Sequence, residues 1–593
     1  MAEITYAERM TRMLAQMDYT HCFLVPGGGI MHLVDAARKN MTVVPFVHEV
    51  SAGIAAEYFT EIAATSHGKH AYALVTTGPG ATNAMTAIAG AYLESRELLV
   101  VAGQVKSADL ATGGIRQRGI QEVDGRAMAE PVCKGTIQLT APVADERLAE
   151  LVLSGSTPRK GPVFVEVCLD AQGAPVDDGD LRVATHSDAL DALAAAAREA
   201  FAGVHERLSR AKRPVVLIGG GVTPGSFAGL RDRWAEVGLP LMTTWNGFDR
   251  VSDDFPLFAG RPNTWGQRSA NILLSQADCV LVLGSRLGMQ QTGFNWQEWT
   301  AGEVIQVDVD ACELAKGHPS INEAIQGDAN TVLALLAEQQ YAVDEQWIAH
   351  IDQVRELVPI MDPANTHGSQ FLSPYELVDQ LSDAMGAGDV LIPASSGSGQ
   401  FVPMETFRLK EGQRVLTNKG LASMGYGLAG AIGAALATPE SRVVLLEGDG
   451  SFSQNLQELG TVALQRLNLK IFLLANDGYA SIRTTQRNYF GGAYVGCDAA
   501  SGLGLPDWPA LVRSFGLPVV SVGPEGLQAP EVTELLDAPG PAVFVVQVDP
   551  EQTYFPKVTS RVREDGGMES NPIHRMSPDL PEDIAREVFR DWS

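Results

Sequence analysis

Short apolar runs alternate with longer stretches of helical periodicity along most of the chain. Runs of this length that are rich in β-branched residues are typical of strands buried on both faces of a parallel sheet. The intervening stretches have the apolar spacing of helices that cover such sheets. The pattern therefore predicts an α/β protein built from doubly wound parallel sheets.

The alternation divides the chain into three units and a tail. We predict strands at 20–25, 42–47, 71–76, 98–102 and 163–168 in the first unit, at 213–221, 239–244, 279–284 and 304–308 in the second, and at 442–447 and 470–474 in the third. Polar, turn-rich stretches at 171–187 and 361–372 indicate linkers. The predicted domains are 1–185, 190–360 and 366–550, followed by a charged extension at 551–593 that is a candidate lid over the active site.

Composition excludes several classes of protein. Hydrophobic residues make up 45% of the 593 residues, no apolar run is long enough to span a bilayer, and the first residues lack the pattern of a signal peptide. The formal charge of −27 argues against nucleic acid as a partner, because phosphate binding needs clustered Lys and Arg. Six scattered cysteines without a CxxC pair are typical of reduced core thiols. We therefore expect a cytoplasmic protein that binds neither membranes nor nucleic acid.

The most informative motif is Gly448-Asp449-Gly450-Ser451-Phe452, which follows the predicted strand at 442–447. Asn476 follows the next predicted strand, so Asp449 and Asn476 are expected side by side at the carboxyl edge of one sheet. Their side-chain oxygens and the carbonyl of Gly478 form a set that suits Mg²⁺, which takes its remaining ligands from a diphosphate and water. The flanking glycines allow the backbone to approach phosphates closely. A plain strand-to-loop turn is the alternative, and the order of strand, motif, helix (456–467), strand and Asn476 disfavours it.

This arrangement resembles the motif that binds thiamine diphosphate (ThDP). Three segments of the first unit extend the resemblance: Pro26-Gly27-Gly28, His48-Glu49, and the run from Thr76-Thr77-Gly78-Pro79 to Asn83. Together they are similar to the acetohydroxyacid (acetolactate) synthases and their relatives. From the dipeptide alone, Glu49 is a carboxylate that favours a helix N-terminus. The resemblance implies instead that Glu49 hydrogen-bonds N1′ of the aminopyrimidine and drives formation of the ylid.

The resemblance covers nearly the whole chain and implies further site residues. Gln121 corresponds to a glutamine near the reacting centre, with Gly27 and Gly28 beside it, and Lys134 corresponds to a lysine that contacts substrate. Met424 corresponds to a methionine beneath the cofactor, and it would at the same time be a core methionine. Other residues are implied to line the ThDP site: Pro26, Thr77, Gly78, Pro79, Asn83, Gly397, Ser398, Gly399, Gln400, Gly448, Gly450 and Ser451.

The second unit carries elements that resemble a flavin site. Gly219 and Gly220 at a strand end are weak evidence by themselves, since many such turns bind nothing. Gly284-Ser285-Arg286, Asp308 with Asp310, and Gly327-Asp328 match the segments with which acetohydroxyacid synthases hold FAD. An acidic residue such as Asp308 suits a ribose or adenine contact, and Arg286 suits a pyrophosphate. In those enzymes the flavin has no net redox role in carboligation.

The resemblance implies a decarboxylating carboligase that transfers an acetyl unit from pyruvate to an acceptor carbonyl, with 2-acetolactate as the product when pyruvate is the acceptor. It also implies active sites shared between subunits of a homodimer or homotetramer. Thr485 stands where the branched-chain enzymes carry a tryptophan, and Ile120 where they carry a phenylalanine, which predicts a larger or more polar acceptor pocket. Arg483 is a candidate contact for an anionic substrate group, against the simpler interpretation as a surface arginine.

Several alternatives stay open from the sequence. A subgroup that transfers acetyl groups to nucleotide-linked keto-sugars is similar at 116–124 and 555–557. A FAD-dependent pyruvate oxidase shares the three-domain plan, and a C–C bond lyase or hydrolase uses the same cofactor. A non-catalytic binding partner is disfavoured by the presence of Glu49, Asp449 and Asn476.

Overall fold

The computed structural model describes residues 3–183, 188–394, 397–590 and 592. It contains three domains, each built on a parallel sheet with helices packed on both faces, so the predicted fold class is confirmed. The end of the predicted linker at 171–187 lies outside the described residues. Among the helices that are described, none is both long and apolar enough to cross a bilayer.

The first domain holds a six-stranded parallel sheet of order β3-β2-β4-β5-β7-β6. Its strands are β1 (Glu3–Thr5), β2 (Tyr19–Leu24), β3 (Thr42–Pro45), β4 (His70–Val75), β5 (Leu98–Gln104), β6 (Gly135–Leu139), β7 (Pro162–Cys168) and β8 (Pro175–Asp177), where β1 and β8 pair separately. Its helices are α1 (Tyr6–Gln16), α2 (Met31–Asn40), α3 (Glu49–His67), α4 (Pro79–Glu94), α5 (Gly125–Ala129), α6 (Asp145–Ser154) and α7 (Leu169–Gln172). Sequence reasoning missed β6, an edge strand that is only partly buried and therefore has no apolar run.

The second domain holds a five-stranded parallel sheet of order β10-β9-β11-β12-β13. Its strands are β9 (Pro214–Ile218), β10 (Leu241–Thr243), β11 (Cys279–Leu283), β12 (Glu303–Asp308) and β13 (Glu323–Gln326). Its helices are α8 (Asp188–Arg210), α9 (Pro224–Ala228), α10 (Arg231–Val237), α11 (Arg268–Gln276), α12 (Met289–Thr292), α13 (Ala311–Leu314), α14 (Ala329–Leu336) and α15 (Glu345–Leu357). The short edge strand β13 was also not predicted.

The third domain holds a six-stranded parallel sheet of order β15-β14-β16-β17-β19-β18. Its strands are β14 (Val390–Pro393), β15 (Arg414–Val415), β16 (Val443–Gly448), β17 (Leu469–Ala475), β18 (Val519–Val522) and β19 (Ala542–Gln547). Its helices are α16 (Pro374–Ala384), α17 (Val402–Thr406), α18 (Tyr426–Ala437), α19 (Asp449–Phe452), α20 (Leu459–Gln465), α21 (Ala480–Phe490), α22 (Trp508–Ser514) and α23 (Pro530–Asp537).

Short turns of other helix types connect these elements. A π-helical turn spans Gly397–Phe401, and 3-10 turns span Gly28–Ile30, Ser107–Asp109, Glu130–Val132, Trp245–Arg250, Trp296–Glu298, Leu456–Glu458, Ala499–Ser501 and Gly526–Gln528. The helix predicted at 456–467 is therefore a 3-10 turn followed by α20.

The first and third domains share one hydrophobic core, because α3 packs along α18. Glycines on α18 make this close packing possible. A Cβ at Gly433 would overlap the carbonyl of Ala55, and a Cβ at Gly430 would lie 2.8 Å from the Tyr58 ring. Buried in the same interface, Glu57 accepts hydrogen bonds from Arg96 (3.0 Å) and from the hydroxyl of Tyr426. The two domains therefore form one rigid support beneath the candidate site.

The tail contains β20 (Lys557–Val558), β21 (Ser560–Val562), β22 (Met568–Ser570), β23 (Met576–Ser577) and α24 (Glu582–Val588). Its distal part packs on the second domain, where Ile573 and Val588 enter the hydrophobic core around Trp347. Its first residues run beside the third domain, and Tyr554 lies close to Gly397. A lid movement of this segment stays a prediction.

Candidate active site

Three oxygen-bearing groups meet at the carboxyl ends of β16 and β17. Asp449 follows β16 directly, Asn476 follows β17, and the two strands are neighbours in the sheet. Asp449 Oδ1 accepts hydrogen bonds from Gly450 N (2.8 Å) and Gly478 N (3.2 Å). The structure thus brings together the three residues that the sequence assigned to a metal.

The geometry of this group fits a small divalent cation. The side-chain oxygen of Asn476 faces only acceptors, and its position lies 3.1 Å from both Asp449 Oδ1 and Gly478 O. Oxygens bound to Mg²⁺ at about 2.1 Å in adjacent octahedral positions are separated by about 3.0 Å. With the amide turned over, its nitrogen would instead donate to both oxygens. Burial also raises the pKa of Asp449 to about 7, a cost to its charged form that a cation would offset.

Arg483 holds the loop that carries Asn476 and Gly478 through hydrogen bonds to backbone carbonyls. This side chain is 4% exposed, and its guanidinium donates to Asn476 O (2.8 Å), Pro550 O (3.1 Å) and, at 3.4 Å, Asp477 O. Asp477 and Gly478 both have positive φ, 61° and 110°, a conformation that needs such support. The structure therefore gives Arg483 a role in holding this loop, while a contact with an anionic substrate group stays a prediction.

The residues expected to line the diphosphate surround this group. The turn at Gly397–Phe401 places Gly397 beside Ser481, which is near the start of α21. Gln400 turns inward and donates to Thr417 Oγ1 (2.7 Å) and Asn418 O (3.1 Å). A Cβ at Gly450 would lie 2.5 Å from the ring of Tyr479, so only glycine fits there. The Gln400 amide therefore hydrogen-bonds to residues of its own domain, whereas the glycines leave the backbone accessible to a ligand.

Met424 lies on a loop fixed to the metal-side motif. Gly425 has φ of 80° and donates to Ser451 Oγ (3.0 Å), and Asn455 Nδ2 donates to Gly425 O (2.8 Å). Met424 itself is 39% exposed. It is therefore not a core methionine in the isolated chain, and its exposed side chain agrees with the cofactor contact that the resemblance implies.

A second group forms at the carboxyl edge of the first domain. Glu49 is the first residue of α3 and is 8% exposed, and Asn83 Nδ2 donates to its Oε2 (3.0 Å). Among the described residues none donates to Glu49 Oε1, which is available to another partner. A buried carboxylate with one open oxygen suits proton exchange with a ring nitrogen.

Glycines draw the other predicted residues of this edge together. Gly27 packs on Thr76, and a Cβ at that position would overlap its side chain. Gly78 has φ of 69°, and a Cβ there would overlap the carbonyl of Gln121, which itself has φ of 63°. The segments around Gly27, Gly78 and Gln121 therefore converge beside Glu49, with Pro26, Gly28, Thr77 and Pro79 on the same loops.

Sequence reasoning missed one residue of this region, Glu458. Its carboxylate accepts hydrogen bonds from Val47 N (3.2 Å), His48 N (3.0 Å) and Thr461 Oγ1 (2.6 Å). Glu458 of the third domain thus binds the turn that precedes Glu49 and holds this turn against that domain. The two sites are 410 positions apart in the chain, and no local pattern around Glu458 signals the contact.

The other two predicted substrate residues are Lys134 and Thr485, and their contact with substrate stays a prediction. Lys134 precedes β6 at the amino edge of the sheet, opposite Glu49, and donates to Arg159 O (2.8 Å) and Pro158 O (3.4 Å). Within the chain the structure does not bring it to the group around Glu49. Thr485 is exposed on α21, one turn beyond Ser481, whose carbonyl accepts from its hydroxyl (3.1 Å).

A cavity of about 490 Å³ lies where the three domains meet. Glycine turns form part of its wall: a Cβ at Gly219 would overlap the carbonyl of Gly284. Burial raises the pKa of Asp308, which lines the cavity. Asp328 also lines it but caps α14, accepting from Thr331 N (2.8 Å). The remaining polar lining includes both signs of charge: Glu94, Arg96, Arg159, Arg250, Arg286 and Lys419.

Comparison with known proteins connects these features. The chain matches the family models described as thiamine pyrophosphate enzyme, N-terminal TPP binding domain, over residues 4–128, central domain over 201–336, and C-terminal TPP binding domain over 395–546. The candidate metal residues fall in the third match and Glu49 in the first. The chain is therefore an enzyme that uses ThDP.

Curated relatives narrow the class. Acetolactate synthase isozyme 1 large subunit of Escherichia coli (strain K12) is 29% identical over 93% of this chain and 96% of that protein. Isozyme 2 large subunit of the same organism is 29% identical over 93% and 97%, and acetolactate synthase of Arthrospira platensis is 28% identical over 94% and 96%. The chain belongs to the thiamine pyrophosphate enzyme family, and these relatives support a ThDP-dependent carboligase of the acetolactate synthase type.

Proposed function

We propose that this enzyme, with ThDP anchored by Mg²⁺, transfers the acetyl unit of pyruvate to the carbonyl of a second substrate. The observation that carries the proposal is the placement of Asp449, Asn476 and the Gly478 carbonyl together on one sheet edge, with the Asn476 amide 3.1 Å from each of the other two oxygens. It is supported by Glu49, which keeps one carboxylate oxygen open on the other sheet edge.

Each group has a distinct task in this proposal. When bound, ThDP supplies the electron sink that lets a 2-oxo acid lose CO₂ and its remaining two carbons join a carbonyl. Asp449, Asn476 and Gly478 hold Mg²⁺ and through it the diphosphate. Glu49 exchanges a proton with N1′ of the aminopyrimidine, and Asn83 fixes the orientation of its carboxylate. Glycine-rich loops exclude water and let the backbone approach the coenzyme.

We propose further that each site forms between two copies of the chain, in a homodimer or homotetramer. Large apolar side chains stand exposed next to both half-sites: Val47 beside Glu49, Ile120 (88% exposed) beside Gln121, Met424, and Ile482 beyond the metal loop. An exposed apolar surface of this kind favours a protein partner. A second copy would cover it and bring Glu49 of one subunit to Asp449 of the other.

The interdomain cavity is the proposed site for FAD. Its volume falls in the range of cofactor pockets, and it combines close glycine turns with Arg286, Asp308 and Asp328. We predict that flavin released from purified protein by heat approaches one molecule per chain. We also predict that the bound flavin stays oxidised under anaerobic pyruvate. Bleaching by pyruvate would support the pyruvate oxidase alternative instead.

The defining experiment uses protein stripped of ThDP and metal. Incubation with ¹³C-labelled pyruvate and a panel of 2-oxo acids, ketones and keto-sugar nucleotides should give labelled ligation products only when ThDP and Mg²⁺ are both restored. Glu49→Gln should lower turnover by roughly a hundredfold or more. The exposed Glu150→Gln is the matched control and should retain activity. Turnover by thoroughly stripped protein would contradict the proposal, and acetaldehyde as the only product would indicate simple decarboxylation.

A further inference from the structure

One lysine lies among aromatic side chains where the tail meets the second and third domains. We call this group the tail-lysine site, and it consists of Trp265, Phe401, Phe555 and Lys557. The Lys557 ammonium lies 5.4 Å from the centroid of the Trp265 ring and 5.3 Å from that of Phe555. The Trp265 and Phe401 rings stack with centroids 4.8 Å apart and an interplanar angle of 24°. The ammonium therefore stands over an aromatic platform rather than in open solvent.

Backbone contacts fix Lys557 from both sides. Phe555 N donates to Asn365 Oδ1 (2.8 Å), while Asn365 Nδ2 (2.7 Å) and the Tyr375 hydroxyl (3.1 Å) both donate to Phe555 O. On the other side, Val558 N donates to Thr264 O (3.0 Å). These contacts fix the backbone on both sides of Lys557, so its side chain projects from a defined position, which favours a pre-organised ligand contact.

Among the described residues no carboxylate neutralises the charge of Lys557 by an ion pair with its ammonium. Arg487 is the charged group that acts on it. Desolvation, and then the like charge of Arg487, lower the pKa of Lys557. Arg487 itself pairs with Glu551. A partly buried cation without an anion is costly by itself and gains most from a ligand that brings one.

The tail-lysine site adjoins the proposed diphosphate segment. Phe401 ends the turn at Gly397–Phe401, and Gly397 lies beside Tyr554 of the tail. Arg487 belongs to α21, which begins just after the metal loop. A ligand on the Trp265–Phe401 platform would therefore lie at the rim of the coenzyme site.

We propose that the tail-lysine site binds an anionic group of the acceptor substrate, with Lys557 as the charged contact and Trp265 as the packing surface. The inference rests on the proposed carboligation and assigns a residue that sets its specificity: Lys557 would select acceptor carbonyl compounds that carry a carboxylate or a phosphate. A purely structural lysine, which stabilises the tail through its aromatic contacts, is the alternative that the test separates.

Matched acceptors provide the test. Dihydroxyacetone phosphate and dihydroxyacetone differ by one phosphate, and 2-oxobutyrate and 2-butanone differ by one carboxylate. With holoenzyme and saturating pyruvate, Lys557→Gln should raise KM for the preferred anionic acceptor by about tenfold or more, the range of a lost charge-assisted hydrogen bond, and leave kcat within about threefold. KM for its neutral counterpart should not change. Lys557→Arg should restore most of the affinity, and exposed Lys69→Gln should behave as wild type.

The acceptor whose KM rises most in Lys557→Gln identifies the anion. A larger rise for 2-oxobutyrate indicates that the site binds a carboxylate, and a larger rise for dihydroxyacetone phosphate indicates that it binds a phosphate. Equal losses for charged and neutral acceptors, with a lowered Tm, would show a structural role. A raised KM for pyruvate in acceptor-free decarboxylation would move the contact to the donor. Wild type that prefers neither anionic acceptor would also overturn the inference.

If the carboligase proposal itself is wrong, the result differs: wild-type holoenzyme with pyruvate forms no product with any of the four acceptors. In that case calorimetric titration of dihydroxyacetone phosphate and 2-oxobutyrate into wild type and Lys557→Gln still decides the inference. Binding weakened about tenfold or more in the variant supports it, and equal or undetectable binding in both proteins contradicts it.

Discussion

Arg483→Met gives the sharpest test of how the metal loop is held. Methionine replaces the aliphatic part of the arginine side chain but lacks the guanidinium. That guanidinium donates to Asn476 O at 2.8 Å and to Pro550 O at 3.1 Å. A hydrogen bond to a charged donor contributes about 1.5–3 kcal/mol, so losing the two shorter bonds costs roughly 3 kcal/mol or more. Part of this loss lowers the stability of the whole domain, and the rest frees the loop that presents Asn476 and Gly478.

The assay is activity as a function of Mg²⁺ concentration at saturating ThDP and substrates, together with Tm. We predict that the Mg²⁺ concentration for half-maximal activity rises by roughly 10–100-fold, since 1.4 kcal/mol corresponds to a factor of ten. Arg483→Lys should lie between wild type and Arg483→Met. The exposed Arg513→Met is the matched control and should change neither quantity. An unchanged Mg²⁺ requirement with a raised substrate KM would refute the reasoning and return Arg483 to the role of a substrate contact.

Three further predictions concern the support of the site. Glu458→Gln should lower kcat by about tenfold through the turn at His48, with an unchanged Mg²⁺ requirement; a kcat equal to wild type would contradict this. Burial raises the pKa of Glu57 to about 7, so its neutral form is favoured and the stability it provides is lost as pH rises from about 4.5 through 7. Thermal unfolding should therefore show the deficit of Glu57→Gln shrinking by up to about 3 kcal/mol between pH 5 and 8, and a growing deficit would mean that its ion pair dominates. Gly433→Ala should destabilise the protein by about 3 kcal/mol or more in chemical denaturation, because its Cβ overlaps α3, whereas exposed helical Gly203→Ala should stabilise it by up to about 1 kcal/mol; equal effects would remove the packing argument.

Local motifs allowed much of this site to be predicted from the sequence. Asp449 and Asn476 each follow an apolar strand run, and parallel strands place such residues at one edge, so their meeting could be foreseen. Glu49 was assigned through the family resemblance, because the dipeptide alone indicated only a charge at a helix N-terminus. Most buried strands were predicted close to their observed bounds, because burial on both faces produces uninterrupted apolar runs. Strands β14 and β19 were not predicted, although both are buried.

The errors and omissions also have physical causes. Strands β6 and β13 lie at sheet edges, where partial burial mixes polar and apolar residues and hides the pattern. The support that Arg483 gives to the metal loop was missed because a sequence shows a charge but not the carbonyls that it faces. Glu458 was missed because its role depends on a contact between distant segments.

Subunit complementation tests the central claim most directly, namely that Glu49 of one chain and Asp449 of another act on one ThDP. Glu49→Gln and Asp449→Asn should each be inactive alone. If the sites form between subunits, a mixed dimer contains one site with both residues intact, and random 1:1 exchange should restore about one quarter of wild-type activity. No recovery, in a sample where native mass spectrometry shows mixed dimers, would contradict the account.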